Sequence, residues 1–383
     1  MDLNYHYCVT YSAARKAGFD LDDALIIAWS AWYVDKCKNV TVQSTERIFL
    51  DNLKDVYEEE AIHRAVQAVI WASFHFLPGD YEAIRNYQTA GHETDQKYHL
   101  ICGPESFLVN TLVQAARDRY QTSGDGPDEK KKALMRIGIA MHTLADSYAH
   151  QSFAGISSKE INEVYHVKHR TTGHGSASRE RFTKVWYVPL KEYSPAPTDK
   201  SFGYLGHGRI GTCLDVPSEV LRYQSSWRAP RVSVITRDNP LEFCCAYFQM
   251  IDAMRYIRSN DSEGLSFSNR MDRFALADRE GTGMDEEREV MDIFRQATDD
   301  KKLAQVWQKY AKPRGFWGGH RPYPPEDSKD PEAAKEFQAR NRLFVGEAME
   351  QTMLVLANCP SLVSYIENVL HVDFVPPPLG IRL

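Results

Sequence analysis

Three residues of the stretch HTLADSYAHQSF, His142, Asp146 and His150, carry groups that bind cations and recur at every fourth position inside an apolar run. Imidazole nitrogens and a carboxylate are ligands for borderline or hard divalent ions. In a helix each residue advances about 100°, so the three side chains fall within an arc of roughly 80° and point the same way. Ile137, Met141, Leu144, Ala145, Tyr148 and Phe153 surround them, so the helix is apolar on most sides and reads as buried. A buried carboxylate costs several kcal/mol without partners. A shared cation removes that cost, and the pattern therefore predicts a metal site.

Further candidates stand out of place upstream. Asp35 ends the hydrophobic run IIAWSAWYVDKC, His75 sits among Trp71, Phe74 and Phe76, and His6 lies between Tyr5 and Tyr7 near the start of the chain. Taken singly, each is also compatible with a capped aspartate or a hydrogen-bonded core histidine. With the helix they make a set of nitrogen and oxygen ligands that the cysteines do not join.

The elements that must position these groups read as helical. Apolar residues at three- and four-residue spacing mark Ala24 to Val34, Glu58 to Phe76, Glu105 to Tyr120, Asp128 to Phe153, Leu241 to Ile257 and Arg340 to Ala357. An all-α fold is expected. The ligand helix has Asp125 or Gly126 to cap it, Pro127 in its first turn and Gly155 as a stop. Between about Ser157 and Arg237, Gly, Pro, Ser and Thr abound and His166, His169, His174 and His207 are scattered, which predicts a loop-rich insertion or flap beside the site. The expected organisation is a metal-binding catalytic region over 1–260, with the flap at 157–237, and a helical C-terminal region over 261–383 that either stands apart or completes the same core.

The chain of 383 residues is 43% hydrophobic, ample for a core, and its net charge of −6 offers no global positive field for a polyanion. Its first residues, MDLNYHYCVTY, lack a basic start followed by an apolar stretch, and its longest apolar run is too short to span a bilayer. The expectation is a protein made in the cytoplasm, with export by a signal-independent route left open. Seven scattered cysteines without C-x-x-C spacing read as free buried thiols.

The H-x-x-x-D helix, preceded by an isolated Asp and an isolated His on separate helices and by an early His, resembles the zinc-dependent phospholipase C and S1/P1 nuclease superfamily. That resemblance implies an all-α bundle holding two or three zinc ions. It places Asp35, His75, His142 and Asp146 on a first ion and His6 on a second, with Asp146 bridging. The segments HYCVTYSAARKAGF, HTLADSYAHQSFAG and LGHGRIGTCLD resemble an uncharacterised bacterial family read as a distant branch of it. There a G-H-G pattern with a downstream Asp recurs, which implies His207 and Asp215 as partners of His150 on the remaining ion. The sequence departs from the superfamily in having a second His four residues after the Asp, with no Pro. The superfamily's N-terminal amine ligand also has no evident counterpart, and Asp2 is taken as its substitute.

The activity implied is phosphoester hydrolysis, with Asp146 orienting the attacking hydroxide and a phospholipid as substrate. A nucleotide or nucleic acid substrate of the S1/P1 type is the alternative. Trp186, Tyr187 and Tyr204 are candidates to pack a base or an acyl chain. Two other classes compete: a di-iron oxidase built on the E-x-x-H pairs Glu60/His63 and Glu163/His166, and a non-catalytic interaction protein with structural metals.

Overall fold

In a computed structural model the described residues are 1, 4–37, 59–79, 96–172, 185–189, 204–228, 234–259, 285–317 and 329–372. They form eleven α-helices. The first six are α1 (Thr10–Lys16), α2 (Leu21–Lys36), α3 (Glu59–Ile70), α4 (Phe107–Gln121), α5 (Pro127–Ala149) and the single turn α6 (Lys159–Asn162). After the strands come α7 (Asn239–Arg258), α8 (Asp285–Gln296), α9 (Asp300–Ala311), α10 (Pro331–Asn358) and α11 (Pro360–Asn368). The expected all-α class holds, with one small sheet added. Among the described residues, no helix is long and apolar enough to cross a membrane.

Helix α5 is the axis. Gly126 and Pro127 open it, Asp128 and Glu129 occupy the first turn where the macrodipole favours acids, and every residue from Ala133 to Ala149 is buried. It is enclosed by α2, α4, α7 and α10. Contact with α2 is close enough to require glycine, since a Cβ on Gly138 would sit 2.3 Å from the Ile27 carbonyl oxygen and 2.6 Å from Ser30 Cβ. One turn later on the same face comes His142, whose Nδ1 lies 2.8 Å from the Ala31 carbonyl. The small residue thus sets the distance at which the ligand helix meets its neighbour.

The helix stops at Ala149, short of the expected Phe153, and His150 forms its C-cap. Two residues on, Ser152 takes a left-handed backbone (φ 74°) and exchanges hydrogen bonds with the Cys102 segment, as does Phe153. The cation-binding groups therefore do not share one helical face throughout, because His150 turns out of the register that His142 and Asp146 keep.

The expected flap is more regular than its composition suggests. Its described parts form a four-stranded antiparallel sheet in the order β2-β1-β3-β4, from β1 (Val164–Thr172), β2 (Val185–Pro189), β3 (Val220–Ser225) and β4 (Ile235–Asp238). Strand β1 is irregular between Tyr165 and Lys168, where His166 has φ 53°. Short strands with one polar face, separated by Gly and Pro, dilute the alternation that would reveal them. The sheet buries Val164, Val167, Leu221 and Tyr223 against Phe76 and Phe153 in a small apolar cluster beside the main core.

The main core also takes in the C-terminal region. Phe294 of α8 and Trp307 of α9 stack at 5.4 Å, and Phe294 lies 5.7 Å from Tyr5, so residues well beyond 260 complete the packing around the start of the chain.

Candidate metal centre

Two of the ligand candidates stand on π turns, Tyr5–Val9 for His6 and Trp71–His75 for His75. Their backbone bonds close over five residues, as in Phe76 N–H to the Trp71 carbonyl at 2.7 Å, which rotates the side chains away from an ordinary helical register. Single π turns of this kind are frequent at functional sites. Asp35 comes from the last turn of α2, and His142 and Asp146 from the buried last two turns of α5.

These five groups meet in one place. Asp146, 1% exposed, has His6 Nε2 3.1 Å from one carboxylate oxygen, and His75 Nδ1 at 3.0 Å and His142 Nε2 at 3.2 Å from the other. Asp35 lies 3.9 to 4.0 Å from the same three imidazoles. The rings of His6 and His142 stack at 3.9 Å. Ligand atoms of His6, Asp35 and His142 come within 4.8 Å of one another, and so do those of His75, His142 and Asp146.

A third group assembles beyond the end of α5. His150 Nε2 is 3.2 Å from Asp215 Oδ1, and His207 Nε2 is 3.7 Å from Asp215 Oδ2. His207 and Asp215 sit in the loop before β3, at either end of the turn His207–Asp215, and the His150 ring packs flat on Phe76 at 4.5 Å. Gly206, in front of His207, has φ 54° and a Cβ there would meet the Phe76 ring at 2.3 Å. All eight sequence candidates, His6, Asp35, His75, His142, Asp146, His150, His207 and Asp215, are thus brought into one continuous cluster.

The tautomers are set by the backbone. His142 Nδ1 is held by the Ala31 carbonyl at 2.8 Å, His150 Nδ1 by the His75 carbonyl at 2.7 Å and His207 Nδ1 by the Gly211 carbonyl at 2.8 Å. Each carbonyl can only accept, so each Nδ1 carries a proton, and in the neutral ring each Nε2 is left with its lone pair towards the cluster. Among the described residues, neither ring nitrogen of the fully buried His6 makes a hydrogen bond. Burial, and then the His142 ring, lower the pKa of His6 to about 4, and burial lowers that of His207 to about 4 against the opposing Asp215. Burial works against the charge on Asp146 and on Asp215, but the Met1 amine and the imidazoles outweigh it and hold both carboxyls well below the usual range. Neutral His6 and His207 facing ionised carboxylates are in the protonation state that a divalent cation requires, whereas at His142 burial is outweighed by Asp146 and Asp35, which raise its pKa, so there a cation would have to displace a proton.

One participant was not read from the sequence. The Met1 amine nitrogen lies 2.7 Å from Asp146 Oδ1 and 3.2 Å from Asp215 Oδ1, between the two halves of the cluster. Burial alone lowers its pKa, but Asp146, Asp215 and Asp35 raise it to about 11. Only the resemblance pointed to the start of the chain, and it pointed to Asp2, which lies outside the described residues.

A family model for DUF6765, a family of unknown function, matches residues 1–354. The chain belongs to that family. No curated protein and no solved structure matches it. The match spans all eight candidate residues and most of the C-terminal helices, so the DUF6765 unit includes both halves of the cluster and the region beyond 260.

Elsewhere in this DUF6765 chain, the E-x-x-H pairs are differently engaged. Glu163 accepts from Arg209 Nε at 2.8 Å and belongs to none of the three ligand groups, while His63 is exposed on α3. His169 approaches Glu219 at 3.9 Å. Of the aromatic candidates, Tyr204 packs near the Arg209 guanidinium at 5.7 Å. His174 and the side chains of Glu60, Trp186 and Tyr187 lie outside the described residues. None of the seven cysteines is in a disulfide, and none belongs to a ligand group found among the described residues.

Proposed function

We propose that this protein is a metal-dependent phosphoester hydrolase with a phospholipase C-like centre of two or three divalent ions, zinc in the first place. The observation that carries the reading is the set of three imidazoles whose Nδ1 atoms are fixed on backbone carbonyls, so that three Nε2 atoms are directed at the carboxylates of the buried Asp146 and the partly buried Asp215. Carbonyls and carboxylates behind ligating histidines are the usual outer support of a metal centre. The His/Asp composition, without cysteine, suits an ion that keeps a position for water more than it suits a closed structural site.

His6, Asp35, His75, His142 and Asp146 would hold ions on the helical side, and His150, His207 and Asp215 an ion on the sheet side. Divalent ions so placed supply an acidified water and positive charge for the oxygens of a phosphoryl group. Asp146 faces both halves, and its ionised carboxylate is placed to orient the attacking water and accept its hydrogen bond. His150, His207 and Asp215 would hold an ion whose positive charge offsets that on the leaving oxygen. The apolar rings of Phe76 and Phe153 behind them limit water access from that side.

Metal analysis of the purified protein is the decisive test, with hydrolysis of a generic phosphodiester as its companion. Stoichiometric zinc, and hydrolysis abolished by Asp146→Ala with the fold intact, support the reading. Stoichiometric metal without any phosphoester cleavage overturns the enzymatic part. Parallel assays on a choline phospholipid and on a dinucleotide separate the phospholipase-like substrate from the nuclease-like one.

A further inference from the structure

Behind the sheet-side ligands lies a buried polar connection that no ligand assignment uses. Arg237 of β4 is 3% exposed and Asn239, the first residue of α7, is fully buried. A guanidinium without water must spend its donors on the protein. Arg237 donates from Nη2 to the carbonyls of Tyr148, at 2.6 Å, and Ala149, at 2.8 Å, the last two residues of α5. From Nε it donates to Asn239 Oδ1 at 3.0 Å. Its Nη1 lies 3.7 Å from Glu242, whose other oxygen accepts from Gln151 at 2.5 Å.

Asn239 continues the connection. Its Nδ2 donates to the carbonyls of Cys213 at 2.9 Å, Leu214 at 3.3 Å and Val216 at 2.8 Å, which bracket Asp215. Its own N–H donates to the Glu219 carbonyl at 3.0 Å. One amide therefore uses its acceptor on the residue that caps the His150 end of α5 and its donors on the turn that carries Asp215. Helix end and turn lie more than 60 residues apart in the chain; Phe153 also meets Ile210 and Leu214 in the small apolar cluster, but it is these hydrogen bonds that reach the residues on either side of Asp215.

We propose that Arg237 and Asn239 are positioning residues that build the sheet-side ion site, by tying the C-terminal end of α5 to the Asp215 turn. The inference rests on the metal reading above and adds to it a determinant of one ion alone. Of the helical-side ligands, His6, Asp35 and His75 stand on α2 and the two π turns and His142 lies two turns before the end of α5, none of them among the hydrogen-bond partners of Arg237 or Asn239, whereas Asp146 shares the last turn of α5 with Tyr148 and Ala149. Asparagine is required at 239 because it is the short side chain that offers both an acceptor for the guanidinium and two donor hydrogens for the carbonyls. Aspartate has the same shape and keeps the first contact, but it has no hydrogen to donate and faces three carbonyl oxygens with a charge.

The test uses the full chain, stripped by a chelator and reloaded with zinc alone, with uptake measured by metal analysis and affinity by competition with a chromogenic chelator. N239D is expected to retain the helical-side ions with wild-type affinity and to bind the sheet-side ion at least about tenfold more weakly, the usual consequence of removing a supporting hydrogen bond behind a ligand. Phosphodiester hydrolysis by N239D should return as zinc is raised, in a variant whose metal-free form is shown by circular dichroism to be folded at the assay temperature, since bound zinc also rescues a partly unfolded chain by mass action. Should N239D not fold, N239S, which keeps one donor, is read on the same scale. Unchanged affinity at every site in the folded variant overturns the proposal while leaving the metal reading intact. Equal weakening of all sites, in step with lost helical signal, also overturns it. Failure of the wild-type chain to take up zinc overturns the metal reading and this assignment with it.

Discussion

The two halves of the cluster are built from different material. On the helical side, His6, Asp35, His75, His142 and Asp146 project from helices or π turns packed in the main core, and Gly138 sets the spacing between α2 and α5. On the sheet side, His150 caps a helix while His207 and Asp215 ride on a loop, and buried polar side chains, Arg237 and Asn239 foremost, hold them beside a small apolar cluster that includes Phe76, Ile210 and Leu214. A rigid helical frame places ligands through close contact, so damage to it spreads into the whole core. A loop tied by a few directed hydrogen bonds can lose its geometry locally, with the rest of the fold unaffected. The comparison teaches that ion occupancy in the two halves should be separable by mutation, except at the one residue they share.

That residue gives the largest expected effect. Asp146→Ala removes the carboxylate that faces His6, His75, His142 and the Met1 amine, and zinc affinity should fall by more than about a hundredfold on the helical side, with a weaker loss on the sheet side. Metal analysis together with phosphodiester assays reads it. If instead only one ion is lost and hydrolysis persists, the halves are independent and Asp146 does not link them.

Gly138→Ala sharpens the helical side. The added Cβ meets the Ile27 carbonyl and Ser30, so α2 and α5 must separate, at a cost of about 1–3 kcal/mol for overpacking. A lowered thermal midpoint and weakened helical-side binding should appear together. Gly206→Ala is the matching change on the sheet side. It forces a side chain into a left-handed backbone and against the Phe76 ring, costing about 1 kcal/mol, and it should disturb the His207 ion while sparing the others. Loss of the same ion from both variants would erase the distinction between halves.

The C-terminal region makes a smaller contribution through the start of the chain. Asp300 of α9 accepts from the Asn4 backbone N–H at 2.7 Å and from its side-chain amide at 2.8 Å, which fixes the segment leading to His6. Asp300→Ala should cost about 1 kcal/mol in chemical denaturation, with a modest loss of helical-side affinity.

The smallest effect is one of pH. Burial raises the pKa of Glu242 to about 7, against the pull of Arg237 and Gln151, whereas in the unfolded chain it titrates near an ordinary glutamate. Between those two values the folded state holds a proton that the unfolded state has released, so this group's contribution to stability falls as pH rises from about 4.5 to about 7 and is flat beyond. Glu242→Gln should remove that part of the slope in metal-free protein, measured by denaturation at several pH values. An unchanged slope would show that Glu242 is ionised when folded and that the sheet side rests on a charged pair.

The helical class and the buried character of α5 were legible because they depend on periodicity, a property of neighbouring residues. So was the exceptional status of His142 and Asp146, two polar groups one turn apart on a helix with no solvent face. Asp35, His75 and His6 could be noticed as misplaced but not paired, and His207 and Asp215 were reached only through resemblance. The strands at 164–172 and 220–225 were masked by polar and glycine-rich composition. The π turns at Tyr5–Val9 and Trp71–His75 and the place of the Met1 nitrogen between Asp146 and Asp215 had no local signal at all.

By itself the sequence determined which helix had to be buried and that its polar groups needed partners, because hydrophobic burial and helix geometry act over a few residues. Only the tertiary structure decided which imidazoles share Asp146, that His150 turns away to meet Asp215, and that Arg237 and Asn239 tie those two together. Such choices depend on close approach of segments far apart in the chain, governed by a missing Cβ, a left-handed residue or a carbonyl in want of a donor, and none of these leaves a periodic trace.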